Sequence, residues 1–112
     1  MPPRDWRLRV EDILGAIANI ENYIAGLSVE EFRADQKTVD AVVRNLEVIG
    51  EATRHLIANQ EGLPTDISWS DIAGMRNILI HEYFGVDLAI IWQTVTKDLP
   101  ALQAQLHLLL QS

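Results

Sequence analysis

The sequence predicts a single all-α domain, an up-and-down bundle of four long helices with one short extra helix. Apolar residues recur every three to four positions along four segments. No stretch shows the period-two alternation that is typical of a β-strand. The length of 112 residues suits one hydrophobic core. We therefore treat residues 1–112 as one domain.

The first predicted helix carries apolar residues at alternating spacings of four and three, which is the seam of a helix in a bundle. These residues are Trp6, Val10, Ile13, Ile17, Ile20, Ile24 and Leu27. Asp5 is a candidate cap for the start of this helix, and Gly26 marks its end. Ser28 and Glu31 have the spacing of a capping box, which predicts the short extra helix. The apolar stripe of the first helix could form a binding groove for a partner, but core packing explains it more simply.

The second long helix separates apolar from charged residues. Gly50 lies in its interior, at a cost of about 1 kcal/mol relative to Ala, so we expect a neighbouring helix to approach closely there. The predicted apolar face consists of Val39, Val42, Val43, Leu46, Ile49, Thr53, Leu56 and Ile57. The opposite face carries Arg44, Glu47, Glu51, Arg54 and His55. This face predicts ion pairs along the helix surface and a surface role for His55.

A loop at Asn59–Thr65, with Gly62 and Pro64 as breakers, precedes the third long helix. Ser70 is a candidate cap for that helix. Five of its residues are predicted to lie on one side: Ile72, Met75, Arg76, Leu79 and Tyr83. Gly74 again suggests close packing of helices.

Gly85 is expected to end the third helix, and Asp87 to begin the fourth. Pro100 forbids an unbroken regular helix and predicts a kink or a restart near residues 97–99. His107 is interpreted as a packing or surface residue. The apolar residues of this region are Leu88, Ile91, Trp92, Val95, Leu102, Leu106, Leu109 and Leu110.

Several apolar residues fall outside these stripes, and a small monomer cannot bury two faces of every helix. They include Leu8, Leu14, Val48, Ile78, Ile80 and Ile90. The surplus predicts a homodimer.

The composition restricts the function classes. The net charge of -7 disfavours broad nucleic-acid binding, although it permits a local phosphate site and a basic partner. There is no cysteine, so disulfides and Cys-based zinc sites are excluded. The N-terminus lacks the apolar core of a signal peptide, and no apolar run approaches the roughly 20 residues of a membrane span. We expect a soluble, cytoplasmic protein.

The otherwise apolar run at positions 75–85 contains Arg76, Asn77, His81 and Tyr83, with Glu82 between the last two. Arg can hold a phosphate through its planar fork, and His can move a proton near neutral pH. Five positions correspond to about 140° around a helix, so Arg76 and His81 do not share a face. They can converge if the helix ends near His81, or if two copies meet across a dimer axis. A purely structural alternative pairs the Arg with Glu47 or Glu51 and lets the His cap the helix.

No His/Asp/Glu group shows metal-ligand spacing, so we expect any catalysis to need neither metal nor cofactor. On RNA, a 2′-hydroxyl activated by a His can attack the adjacent phosphate, leaving a 2′,3′-cyclic phosphate. The negative charge makes a local positive cleft necessary, and we expect Arg76 with Arg44 or Arg54 to form it.

The segment from Arg76 to Tyr83 resembles the signature of the HepT-like ribonucleases of the HEPN superfamily. That signature is Arg, a polar residue, three more residues, His, any residue and Tyr. Residues 76–83 match it without departure, with Asn77 as the polar residue and His81 as the histidine. The resemblance extends over nearly the whole chain. Its further features are Ile49–Ala52, Trp69, Asp71–Met75, Trp92 and Asp98–Leu102.

The resemblance implies a dimeric helical bundle with a shared cleft and metal-independent cleavage of RNA. Arg76 and His81 would be the catalytic pair, and Asn77 the polar residue beside the Arg. Family members act as toxins of type VII-like toxin–antitoxin systems, whose antitoxin is a minimal nucleotidyltransferase. That partner would add AMP to Tyr83. The alternatives are a noncatalytic dimeric subunit for a nucleotidyltransferase and, less favoured, a helical DNA-binding domain, which would need a basic recognition helix.

Overall fold

The computed structural model describes residues 6–59, 62–81 and 87–111, and for residues 76–81 it describes the backbone alone. All regular structure in these ranges is helical, which confirms the predicted all-α class. The long helices are four in number if α5, a π-helical turn and α6 are taken as one continuous segment. The elements are α1 (Trp6–Ile24), α2 (Val29–Ala34), α3 (Gln36–Asn59), α4 (Trp69–His81), α5 (Leu88–Gln93), the π-turn (Thr94–Asp98) and α6 (Leu99–Gln111).

Helix α1 contributes the predicted stripe to the core. Val10, Ile13, Ile17 and Ile20 are buried, and the predicted cap Asp5 lies outside the described residues. Gly26 adopts a φ of +75°, a conformation that glycine reaches without steric penalty. The N–H of Leu27 then donates to the carbonyl of Ile24 at 3.0 Å, which closes the helix.

Helix α2 begins with the predicted capping box. The Ser28 hydroxyl accepts from the N–H of Glu31 at 3.1 Å, and the Ser28 N–H donates to the Glu31 carboxylate at 3.0 Å. Both hydrogen bonds lower the pKa of Glu31 below its ordinary value, and that of the Ser28 backbone has a larger effect than that of its hydroxyl. The helix buries Phe32, whose ring lies 5.2 Å from that of Trp92. This aromatic contact fixes α2 against α5.

Helix α3 is the central element, because α1 and α4 both pack along it. At the start of α3, the hydroxyl and the N–H of Thr38 both donate to the Asp35 carboxylate. Both hydrogen bonds lower the pKa of Asp35, and that of the hydroxyl has the larger effect. The buried Thr53 hydroxyl donates to the Ile49 carbonyl at 2.7 Å. The predicted apolar face is buried except for Ile57, which is 44% exposed. Leu56 occupies the core position of the last turn, so the next residue points away from the core.

Helix α4 begins at Trp69, so the prediction that Ser70 caps it is wrong. The N–H of Ile72 donates to the carbonyl of Ser68, which places the start of the helix before Ser70. The Gly74 prediction is also wrong for the described residues. Apart from the backbone of α4 itself, no described atom lies within 4 Å of a Cβ built at Gly74, so no described neighbouring helix approaches closely there.

The last helical segment begins as predicted at Asp87, whose carboxylate accepts from the N–H of Ala89 at 2.8 Å. The interruption predicted from Pro100 takes the form of the π-turn, in which the N–H of Leu99 donates to the carbonyl of Thr94. Because proline lacks an N–H, the regular hydrogen-bond ladder cannot pass through this point. The Thr94 hydroxyl donates to the Ile90 carbonyl and the Thr96 hydroxyl to the Trp92 carbonyl.

The apolar residues outside the predicted stripes differ in how far they are buried. Ile90 is 63% exposed and Leu8 is exposed as well, whereas Leu14 and Val48 are half-buried against the core. Ile78 and Ile80 have side chains outside the described set. His107 is exposed, in agreement with a surface role. No helix within the described residues combines the length and apolar character needed to cross a membrane.

Candidate functional site

Helix α4 carries three of the four candidate residues on one continuous backbone. Arg76, Asn77 and His81 all lie within it, whereas Tyr83 lies outside the described residues. The rise of about 1.5 Å per residue separates positions 76 and 81 by roughly 7.5 Å along the axis and about 140° around it. The side chains of Arg76, Asn77 and His81 are outside the description, so their convergence stays a prediction.

The first half of α4 is firmly anchored to the bundle. The Trp69 indole is buried and donates to the carbonyl of Pro64 at 2.8 Å, tying the helix to the preceding loop. Ile72 and Met75 are partly buried against the core. Relative to Ile72, position 76 is rotated by about 40° and position 81 by about 180°. The two candidate catalytic positions therefore belong to different faces of one well-anchored helix.

The basic residues expected to support Arg76 lie beside acidic ones. The Arg44 guanidinium is 3.5 Å from the Glu47 carboxylate, and that of Arg54 is 3.9 Å from Glu51. His55 also contacts Glu51, with 3.2 Å between Nε2 and Oε1. These contacts confirm the predicted ion pairs along α3. They also offset the positive charge that Arg44 or Arg54 would bring to a phosphate site, which counts against their predicted part in a positive cleft.

A groove of about 640 Å³ between α1 and α3 was not predicted from the sequence. Its small lining residues, Gly15, Ala16 and Ala52, leave room between the helices, and Asn19 donates to Asn45 across the groove at 3.2 Å. Its charged lining residues are Arg9, Glu11, Asp12, Arg44, Glu47 and Glu51. Four carboxylates against two guanidinium groups do not favour a phosphate ligand. The neighbouring small residues of α1 were the sequence signal that pointed to space between the two helices.

Within the ranges that the structure describes, no three His, Cys, Asp or Glu side chains lie close enough to hold a metal ion. The α4 motif is the candidate site that the sequence predicts, and comparison with known proteins shows which family carries it. Residues 13–109 match the model of a protein family described as ribonuclease HepT-like. The chain belongs to the HepT-like ribonuclease family. The matched range runs from within α1 to within α6 and contains the whole segment from Arg76 to Tyr83.

Curated relatives cover most of the chain. A protein of Thermococcus cleftensis named "Probable ribonuclease HepT" is 43% identical over 96 residues, which is 86% of this chain and 87% of that protein. A protein of Caldanaerobacter subterraneus subsp. tengcongensis named "Putative RNase" is 41% identical over 102 residues, 91% of each chain. No solved structure matches this HepT-like chain. The family assignment predicted from the sequence is thus confirmed by similarity over most of the chain.

Proposed function

We propose that this HepT-like chain is a metal-independent RNA endonuclease and the toxin of a type VII-like toxin–antitoxin system. Family membership, together with an intact Arg76–His81–Tyr83 motif inside the matched range, carries the proposal. The names of the relatives, which describe ribonucleases, support RNA as the substrate.

The chemistry follows from the two catalytic candidates. His81 takes the proton of a ribose 2′-hydroxyl, and the 2′-oxygen forms a bond to the adjacent phosphorus. The bond from phosphorus to the 5′-oxygen of the next nucleotide breaks, and that oxygen takes a proton from water, to which His81 returns the proton that it accepted. Arg76 donates to the phosphate oxygens and stabilises the charge that develops on them. The products are a 2′,3′-cyclic phosphate and a 5′-hydroxyl. Asn77 is the polar neighbour that orients the substrate.

A homodimer supplies a way for the two faces of α4 to meet. Positions 76 and 81 are separated by about 140° around the helix, so two copies of α4 facing each other can line one cleft. Exposed apolar side chains at Leu8 and Ile90 leave surface for a second subunit to cover.

Neutralisation follows from the position of Tyr83, two residues after His81. A nucleotidyltransferase antitoxin that transfers AMP to its hydroxyl adds a negative phosphodiester and bulk beside the place where an RNA phosphate must bind. Coexpression with such a partner is expected to raise the intact mass by one or more AMP units, and the gain disappears in Tyr83→Phe.

The second candidate is a noncatalytic dimeric subunit that binds or regulates a nucleotidyltransferase. The net charge of -7 and the glutamates beside Arg44 and Arg54 favour it, since both weaken attraction for RNA.

RNA cleavage in excess EDTA separates the two candidates. Intact mass first establishes that Tyr83 carries no adduct. The wild type and the control His107→Ala, at an exposed residue of α6, are expected to cut RNA and leave cyclic-phosphate ends. His81→Ala is expected to be inactive. An unmodified wild type that cuts none of a broad RNA panel supports the binding subunit instead.

A further inference from the structure

A second groove lies on the side of α4 that faces α6 and the loop before α4. It consists of two adjoining cavities of about 370 and 230 Å³, which share Asp66, Ile67 and Gln105. Gln105 donates to the Asp66 carboxylate at 3.5 Å where the cavities meet. We call this surface the acidic groove. It is separate from the mixed-charge groove between α1 and α3, with which it shares no residue.

The floor of the acidic groove is apolar. In the larger cavity Leu46 of α3, Ile72 and Met75 of α4, and Leu102 of α6 provide aliphatic surface. In the smaller cavity the floor continues past Leu108, which is 67% exposed. Leu108 therefore extends the apolar surface of the groove out to solvent.

The rim of the groove is negative. Asp66, Asp71 and Asp98 are exposed and line the larger cavity. Among the described residues that line either cavity, none is Lys, Arg or His. An apolar floor beneath three carboxylates matches one kind of side chain, a long aliphatic stem that ends in a cation.

We infer that the acidic groove anchors an arginine or lysine side chain on a basic, amphipathic segment of a protein partner. The aliphatic stem lies on Ile72, Met75 and Leu102, and the cationic head lies among the carboxylates. A second copy of this chain fits less well, since its net charge of -7 would add like charge to a negative surface. Nucleic acid is disfavoured for the same reason.

The position of the groove gives such docking a consequence. Met75 lines the groove, and Arg76 is the next residue of the same helix. A partner seated there contacts the helix that carries the motif, directly before its first residue. The docking inference does not depend on the proposed RNase activity, so it is tested by binding alone.

The first probe is hexylguanidinium, which imitates an arginine side chain with a longer stem. It is titrated into the full chain carrying ¹³C-labelled Ile, Leu and Met methyl groups and followed by NMR. Saturable shifts are expected at Ile67, Ile72, Met75 and Leu102, with a Kd on the order of millimolar. Hexanol, which lacks the cation, should bind more weakly. Spermine, which lacks a single apolar stem, should also bind more weakly. Shifts elsewhere, no shifts, or equal binding of either control compound overturns the proposal.

The matched variants test the rim. Asp71→Asn with Asp98→Asn should weaken hexylguanidinium roughly fivefold, because two exposed ionic contacts are lost. Glu21→Gln with Glu30→Gln changes the net charge equally at exposed sites outside the groove and should leave the Kd unchanged. Equal weakening by both pairs would mean a general charge effect and contradict the inference.

A helical peptide tests the protein partner. A capped peptide of about 14 residues, with one Arg flanked by Leu at i-4 and i+4, should bind through the same methyl groups and more tightly than hexylguanidinium. Its Arg→Glu counterpart should not bind. If only hexylguanidinium binds, the groove takes a small cation. If the groove signals shift on dilution of the protein alone, a second copy covers it. Either result overturns the proposal.

Discussion

Helices α3 and α4 lie side by side but distribute their polar residues differently. Along α3, apolar residues occupy the buried face and charged residues pair with one another at the surface, as Arg44 does with Glu47. Along α4, Arg76, Asn77 and His81 interrupt an apolar run. Packing and surface ion pairs account for the residues of α3. For the polar residues of α4 we propose the family's ribonuclease chemistry instead.

The largest expected effect distinguishes arginines on the two helices. Arg76→Ala should lower the rate of RNA cleavage by roughly 10²–10³-fold, because a donor to the developing charge is lost. Arg44→Ala, whose guanidinium is paired with Glu47, should change the rate less than about threefold. Single-turnover cleavage of a labelled RNA measures both. Equal losses would place the RNA on α3 as well and remove the contrast between the helices.

The core role of α3 predicts the next effect. Leu46 is 1% exposed, so Leu46→Ala should lower the free energy of unfolding by about 2–5 kcal/mol. Met75→Ala on α4, at a half-buried position, should lower it by less. Urea unfolding followed by circular dichroism gives both values. A larger loss for Met75→Ala would mean that α4, rather than α3, is the centre of the bundle.

Sequence reasoning was most accurate where structure depends on near neighbours along the chain. The α1 stripe, the Ser28–Glu31 capping box, the Asp87 cap and the interruption before Pro100 are all local, and all are confirmed. The errors at Ser70 and Gly74 concern how α4 starts and what approaches it, which depends on other elements. The two grooves were not predicted, because each combines residues from distant segments. The motif was identified by resemblance, since Arg and His five residues apart are common in helices.

The capping box, outside both helices, provides a smaller and pH-dependent effect. Ser28→Ala should lower the free energy of unfolding by about 1 kcal/mol near neutral pH. The pKa of Glu31 is lowered in the folded protein. The stabilisation that ionised Glu31 contributes is therefore present above the ordinary pKa of Glu and is lost as the pH falls through the lowered pKa. The difference between wild type and Ser28→Ala should therefore narrow in acid, as measured by urea unfolding at a series of pH values. A constant difference would contradict the coupling between Ser28 and Glu31.

The smallest effect tests the free space on α4. Gly74→Ala should raise the free energy of unfolding by about 0.5–1 kcal/mol, because alanine favours the helix and no described atom obstructs its Cβ. Thermal unfolding of the dilute protein checks this. A destabilised variant would show that a second subunit or another element closely covers this face.

The central claim, that the α4 motif cleaves RNA through the 2′-hydroxyl, is tested most directly by one substrate. A labelled RNA is first mapped to the bond that the wild type cuts in excess EDTA, and is then resynthesised with a single 2′-deoxy nucleotide on the 5′ side of that bond. The mechanism predicts that cleavage at this bond disappears while cleavage of the all-ribose RNA continues. Equal cleavage of both would contradict it, because a water or another nucleophile would then be attacking the phosphate.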